Sequence, residues 1–437
     1  MRLRLALLLA AVALHAETAE DRYRAVEQRA FDAKLESNED LKPPEVRRAE
    51  ATHSELARLR DEQMPRDAAF DRDLLLWHLE RRLAFYRRFH APRANAHARG
   101  DARGPPHDEW DRYAMRLQYD FGVDYGPDEL LSKAFAFWDA ALGELKGTCR
   151  EIDPDLPWRE VMDRLKDDHP AADALLPTAQ RQLERAIRFV ERHRLVTIPD
   201  SAKKVEAKWG DPKAKTPFGH YLPPDQQAGS VSEQGQGWYV VIPVDGDLTD
   251  EEKEARLRAN NIHWTRCVAL HEAIPGHHLQ FAIANARASR VRKIFYNSAF
   301  VEGWGLYCEG MMARAGYFGD PRDRASQQKM RLWPAARVII DVGTHLGRMT
   351  QEEGVELLVD GVGMERACAR DEVQRYVDAP LYYSGYMAGC LELEALRREC
   401  EKRDGASFDL CAFHDAVLAC GPLPFRFVRR AVLSSPH

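Results

Sequence analysis

Along most of the chain, apolar residues return at steps of three and four. Phe70, Leu74 and Trp77, then Leu79, Leu83 and Tyr86, mark one such segment, with arginines filling the opposite positions, a solvated face. Leu183, Ile187 and Val190 mark another, after a helix start read at Pro177-Thr178. This spacing predicts a succession of amphipathic helices over about residues 20–200. The stretch from His90 to Pro106 has no period and reads as a basic loop. Between 197 and 236 the pattern dissolves into prolines and glycines (Pro212, Pro217, Gly219, Pro223, Pro224, Gly229 and Gly235), which predicts a domain junction or an active-site loop. Trp238 to Pro243 is aromatic and β-branched and predicts a strand. From 250 the helical period resumes, opened by a capping box at Thr249 and Glu252. The expected fold is therefore mainly α, with a small β element near 237–243. An N-terminal helical region would span 17–215 and a catalytic helical region 216–437.

Composition narrows the function classes. Of the 437 residues, 45% are apolar and 30% charged, ordinary values for a folded globular chain. The net charge of -6 carries no basic surplus, so nucleic acid is not expected as a partner. Arg2 and Arg4 followed by the apolar run Leu5 to Leu14 and by Leu14-His15-Ala16 read as a signal peptide over residues 1–16. An exported protein, periplasmic or secreted, is the expectation. No cysteine follows the apolar run, so no lipid anchor is indicated, and no later segment approaches a membrane span. Five of the eight cysteines lie between 368 and 420, where a disulfide staple would be permitted outside the cytoplasm. None has the CxxC spacing of a thiolate metal site.

Chemistry concentrates in His271-Glu272-Ala273-Ile274-Pro275-Gly276-His277-His278. In the HExxH zinc motif two histidines one turn apart bind the metal, and the glutamate beside the first is the general base. Here the second position is Pro275. On a straight helix His277 would point about 120° away from His271, and His278 would lie about 10 Å further along. Pro275 cannot donate to the His271 carbonyl, and Gly276 loosens the same place. A bulge absorbing two residues would restore the one-turn relation for His277; His278 is the alternative ligand. Glu302, in Phe300-Val301-Glu302-Gly303-Trp304-Gly305-Leu306-Tyr307, is the candidate third ligand, because a carboxylate among apolar neighbours needs a partner or a metal. Glu309, one heptad on, could orient a ligand histidine. Two histidines and a glutamate leave a coordination position for water, the arrangement of hydrolytic zinc. Glu272 is the candidate base. Oxyanion donors are sought in Tyr382-Tyr383-Ser384-Gly385-Tyr386, and at His345.

The stretch Leu270 to Gln280 resembles the HEAxPGHHxQ signature of the bacterial domain-of-unknown-function 885 proteins. Phe300 to Tyr307, Asp341-Val342-Gly343-Thr344-His345, the region Arg375 to Gly389, Phe413-His414-Asp415 and Gly421-Pro422-Leu423-Pro424 agree with it. The resemblance implies a fold similar to the helical glutamate zincins of the thimet oligopeptidase type, with a deep channel suited to short peptides. It also implies His271, His277 and Glu302 as metal ligands, Glu272 as base, and Tyr386 as the tyrosine of a Pro-Gly-Gln-Ala-x-x-Tyr segment. Leu381 and Tyr382 stand where that segment has Gly-Gln. The expected function is a zinc peptidase acting on oligopeptides. A zinc amidase or esterase, and a peptide-binding scaffold without catalysis, are the alternatives.

Overall fold

The computed structural model describes residues 18–60, 64–90, 108–214, 219–222, 237–287 and 289–434. The proposed signal segment, residues 91–106 of the basic loop, and residues 215–218 and 223–236 of the Pro/Gly-rich stretch lie outside them. The described chain is mainly helical, with one three-stranded sheet. No described helix is long and apolar enough to cross a membrane.

The chain divides into two compact units. One contains α1 (Ala19–Asp32), α2 (Pro43–Leu56) and α3 (Arg66–Phe85), together with residues 289–295. Its core gathers Tyr23, Val26, Leu56, Leu74, Leu79 and Leu83. Arginines were expected on the solvated faces, yet Arg72 and Arg82 are buried. Backbone carbonyls satisfy them: Arg72 donates to Leu59 O at 2.7 Å, and Arg82 to Leu35 O and Glu39 O, each at 2.9 Å.

The other unit begins at Glu109. Its elements are α4 (Asp108–Arg116), α5 (Pro127–Ile152), α6 (Trp158–Arg164), α7 (Leu175–His193), β1 (Val205–Trp209), β2 (His220–Leu222), β3 (Gly237–Val241), α8 (Asp250–Ala259), α9 (Ile262–Glu272), α10 (His277–Arg287), α11 (Ser298–Arg314), α12 (Pro321–His345), α13 (Gln351–Glu356), α14 (Arg366–Asp378), α15 (Gly385–Asp404), α16 (Leu410–Cys420) and α17 (Phe425–Leu433). The capping box on α8 forms, with Thr249 Oγ1 accepting from Glu252 N at 3.2 Å. Helix α7 starts at Leu175, two residues before Pro177, because proline fits the first turn, where its missing N–H has no helical partner.

The sheet corrects the expected boundary at 215. β1 pairs in parallel with β3, Val205 opposite Gly237 through Trp209 opposite Val241, and β2 lies antiparallel on the other side of β3. Strands on both sides of residue 215 thus share one ladder, so the chain cannot part there. The expected cysteine staple is corrected too: all eight cysteines are free. Six are buried as small residues between helices. Close packing joins α11 and α15 at one of them, where a Cβ on Gly303 would lie 2.5 Å from Gly389 and 2.8 Å from the Cys390 nitrogen.

Candidate metal centre

Helix α9 is capped by Asn261, whose side chain accepts from Trp264 N at 3.0 Å, and it stops at Glu272. The stop follows from Pro275, which has no N–H for the turn above it. The Gly276 N–H donates to Leu270 O (3.0 Å) and the Leu279 N–H to Ala273 O (3.3 Å), each reaching back six residues where a regular helix reaches four. The break therefore absorbs two residues before α10 begins at His277. A Cβ at Gly276 would overlap the His271 carbonyl, so the turn closes only with glycine there. Trp304 on α11 donates from Nε1 to Pro275 O at 2.8 Å and fixes the turn against that helix.

Two imidazoles meet across this break. The rings of His271 and His277 stand edge to face, 4.8 Å between centroids. One ligand atom from each of His271, Glu272 and His277 lies within 4.8 Å of the others. Glu302 on α11 directs Oε2 at the same space, 3.3 Å from His277 Nε2 and 3.9 Å from His271 Nε2. That oxygen is buried and has no hydrogen-bond partner. Tetrahedral zinc, with bonds of about 2.0–2.1 Å to nitrogen and oxygen, sets neighbouring ligand atoms about 3.3 Å apart. Two Nε2 atoms and an orphaned carboxylate oxygen at this spacing fit a divalent cation and leave the carboxylate otherwise unsatisfied.

Supporting groups hold each ligand. Glu309 lies on the same face of α11 as Glu302 and accepts from His271 Nδ1 at 2.8 Å, which reserves Nε2 for the shared space. Gly305 lies between the two glutamates, and a Cβ there would lie 2.6 Å from His271 Nε2, so the ring has room only because the side chain is absent. Gln280 Oε1 lies 3.5 Å from His277 Nδ1 and its amide donates to Phe300 O at 3.3 Å. Glu272 is held from the sheet: the Tyr221 N–H, on edge strand β2, donates to Glu272 Oε2 at 2.8 Å. Tyr382 donates to Glu302 Oε1 at 3.2 Å, and the Tyr386 ring stacks 6.1 Å from that of His271.

The electrostatics favour a cation. Burial alone would raise the Glu302 carboxyl, but His277 and His271 outweigh it and hold the group well below the usual carboxylate range. Burial would lower His271, but Glu302 and Glu309 outweigh it and raise the imidazole. Burial raises Glu309 itself. Three carboxylates around two imidazoles leave a negative surplus that a dication offsets.

Two expected site residues lie elsewhere. His278 is not brought to the centre: Nε2 binds Ala202 O at 2.8 Å and Nδ1 lies 3.4 Å from Tyr221 Oη, so the sheet side of the unit engages both nitrogens. His345 is engaged by Asp341 O at 2.8 Å and Val377 O at 3.3 Å and does not line the cavity beside the histidines. It braces Asp341 instead. That carboxylate accepts from Ser384 Oγ at 2.5 Å, Tyr113 Oη at 3.0 Å and Leu381 N at 3.0 Å, and so positions the loop that carries Tyr382.

A family model described as bacterial protein of unknown function (DUF885) matches residues 6–432. The chain belongs to the DUF885 family. No curated protein matches this DUF885 chain. Two solved bacterial structures are similar to it. One, from Shewanella oneidensis, is provisionally named a lipoprotein of unknown function; it shares 25% identity at a TM-score of 0.66, over 95% of this chain and 73% of that one. The other, from Colwellia psychrerythraea and also provisionally named a lipoprotein, shares 20% identity at a TM-score of 0.65, over 88% of this chain and 66% of that one, and shows the fold alone.

Sequence reasoning on this DUF885 chain passed over three contributors: the Tyr221 N–H, Asp341 and Arg337. A backbone donor carries no residue signal. Asp341 stands four residues before His345, a spacing that brings side chains together on one helix face and could have linked the pair. Arg337 reads as one more surface arginine, yet it is buried and lines a cavity of about 310 Å³ beside His271 and Glu272.

Proposed function

We propose that this DUF885 protein is an exported zinc-dependent peptidase that hydrolyses short peptides. The observation that carries the reading is the convergence of His271 Nε2, His277 Nε2 and the orphaned Glu302 Oε2 beside the carboxylate of Glu272. His271, His277 and Glu302 would hold the ion. Bound there, zinc supplies Lewis acidity and lowers the pKa of water. Glu272, next to the ligands and steadied by the Tyr221 N–H, takes the proton of the attacking water and returns it to the leaving amine. Burial, and then the Glu302 charge, raise the phenol of Tyr386, so it stays protonated and can donate a hydrogen bond to a developing oxyanion, while Tyr382 directs its O–H to Glu302. Glu309 keeps His271 in the tautomer that offers Nε2.

Fold, substrate and compartment belong to the same reading. The likeness to helical glutamate zincins is supported by a His-Glu pair closing one helix, a histidine opening the next and a glutamate on a later one. The oligopeptide substrate is supported by a cavity of about 310 Å³, near the lower end of small-ligand sites and roomy enough for a residue or two. Export is supported by the apolar run after Arg4 and by the lipoprotein names of both similar bacterial proteins.

The test is zinc content and peptide turnover of the purified chain. One zinc per chain is expected, lost in His271→Ala and Glu302→Ala. Glu272→Gln should keep the zinc and lose roughly 10²–10⁴-fold in turnover. Activity surviving in Glu272→Gln, or zinc content indifferent to both ligand changes, would overturn the reading.

A further inference from the structure

The cavity beside the histidines is also lined by Arg337 and Arg375, which the hydrolytic chemistry does not use. Arg337 is 9% exposed. Its guanidinium carbon lies 4.4 Å from the Trp333 ring centroid and 4.2 Å from that of Tyr386, and its Nε has no hydrogen-bond partner. Glu372 Oε2 stands 3.8 Å away, while Glu372 also binds Arg375 at 2.5 Å and accepts from Tyr376 Oη at 2.9 Å. Two guanidiniums thus share one carboxylate, and the Arg337 Nε–H still lacks the acceptor that a bound anion would supply. Guanidinium presents a planar fork of donors matched to a carboxylate.

Tyr386 sets the distance between Arg337 and the histidines. Its ring lies 6.1 Å from the His271 ring and 4.2 Å from the Arg337 guanidinium carbon. Arg337 and His271 are therefore no further apart than those two distances laid end to end. An extended residue spans about 3.3–3.6 Å, so at most about three residues bridge that gap. We propose that Arg337 receives the free C-terminal carboxylate of the substrate, which makes the protein an exopeptidase releasing a short piece, at most about three residues, from the carboxyl end. The cleavage rests on the peptidase reading; the carboxylate site does not. The departing side chain would lie against Trp333 and Tyr383, so an apolar or aromatic residue fits best.

The test uses the full chain carrying Glu272→Gln, so that nothing is consumed, and compares N-acetyl-Ala-Ala-Phe with its C-terminal amide by calorimetry. The acid should bind at least tenfold tighter. Adding Arg337→Gln should erase that preference and leave zinc content unchanged, and Arg337→Lys should restore part of it. Equal affinities for acid and amide, or a preference that survives Arg337→Gln, would overturn the proposal. If Arg337→Gln does not fold, the acid and amide comparison in Glu272→Gln and in the Arg337→Lys background still decides. Wild-type turnover separates the two readings. Equal cleavage of acid and amide would defeat the carboxylate site and keep the peptidase. Preserved preference with no cleavage of either would keep the site and defeat the peptidase.

Discussion

At the scale of single residues, the DUF885 chain departs from its family's segment at Leu381, and the backbone shows what the departure involves. Leu381 has φ 71°, in the left-handed region where glycine sits without penalty, and glycine is what the resembled segment would place there. Its N–H donates to Asp341 and its side chain is buried, 1% exposed. Leu381→Gly therefore sets two effects against each other. Relief of the left-handed conformation gains about 1–2 kcal/mol, while losing a buried leucine side chain costs about 2–5 kcal/mol. Lost packing outweighs the relief over most of that range, so urea unfolding should show a net loss of up to about 4 kcal/mol; a stabilised variant would mean the side chain contributes little packing. The residues that sequence reading separated well were those whose role depends on near neighbours. His271, Glu272 and Pro275 are of this kind. His278 was not separable from His277, because the group that claims it, the Ala202 carbonyl, comes from a distant part of the chain.

At the scale of elements, α11 sets the position of both glutamates, and α11 is set by α15. The two helices touch backbone to backbone at Gly303 and Gly389, where a Cβ on Gly389 would overlap the Ala299 carbonyl. Gly389→Ala should cost about 1–3 kcal/mol by overpacking and, by shifting α11, weaken zinc binding in a chelator competition. Gly143, exposed on α5 with nothing within 4 Å of a Cβ, is the control: Gly143→Ala should stabilise by up to about 1 kcal/mol through helix propensity. Equal effects at the two glycines would rule out the close packing as the cause. Helices were legible because their period is written in local sequence, and the break in α9–α10 because proline and glycine mark it. The parallel pairing of β1 with β3 was not legible, since parallel strands join across long, variable connections and leave no short-range signature.

At the scale of the whole molecule, two buried histidines make stability depend on pH. Burial, helped by the charges of Arg82 and Arg81, lowers His78 to about 4 against its bond to Leu35 O; burial likewise lowers His414 to about 4. His414 is held neutral between Leu195 O at 2.5 Å and Tyr307 Oη at 2.8 Å. Both folded values lie below the unfolded value of about 6.5. The unfolded chain therefore binds more protons as pH falls below about 6.5, so stability is fully present above that pH and is lost progressively toward pH 4. Between pH 7 and pH 5, each histidine should remove about 2 kcal/mol. Urea titrations at the two pH values measure the loss, and His78→Gln should shrink the difference. A midpoint unchanged across that window would contradict the burial of these groups as neutral imidazoles.

What the sequence by itself determined is whatever depends on residues a few positions apart. The helical class, the strand at 237–241, the capping box at Thr249 and the broken helix bearing His271, Glu272 and His277 are all of that kind, because hydrogen bonds of four to six residues' reach and side-chain periodicity are local properties. Tertiary structure alone decided which groups surround that break. It brought Glu302 and Glu309 to His271, turned His278 onto Ala202 and His345 onto Asp341, drew one sheet across residue 215, and buried Arg337 beside the centre. These pairings depend on how helix faces pack and on where a missing Cβ lets two backbones or a ring approach, and no short stretch of sequence encodes that.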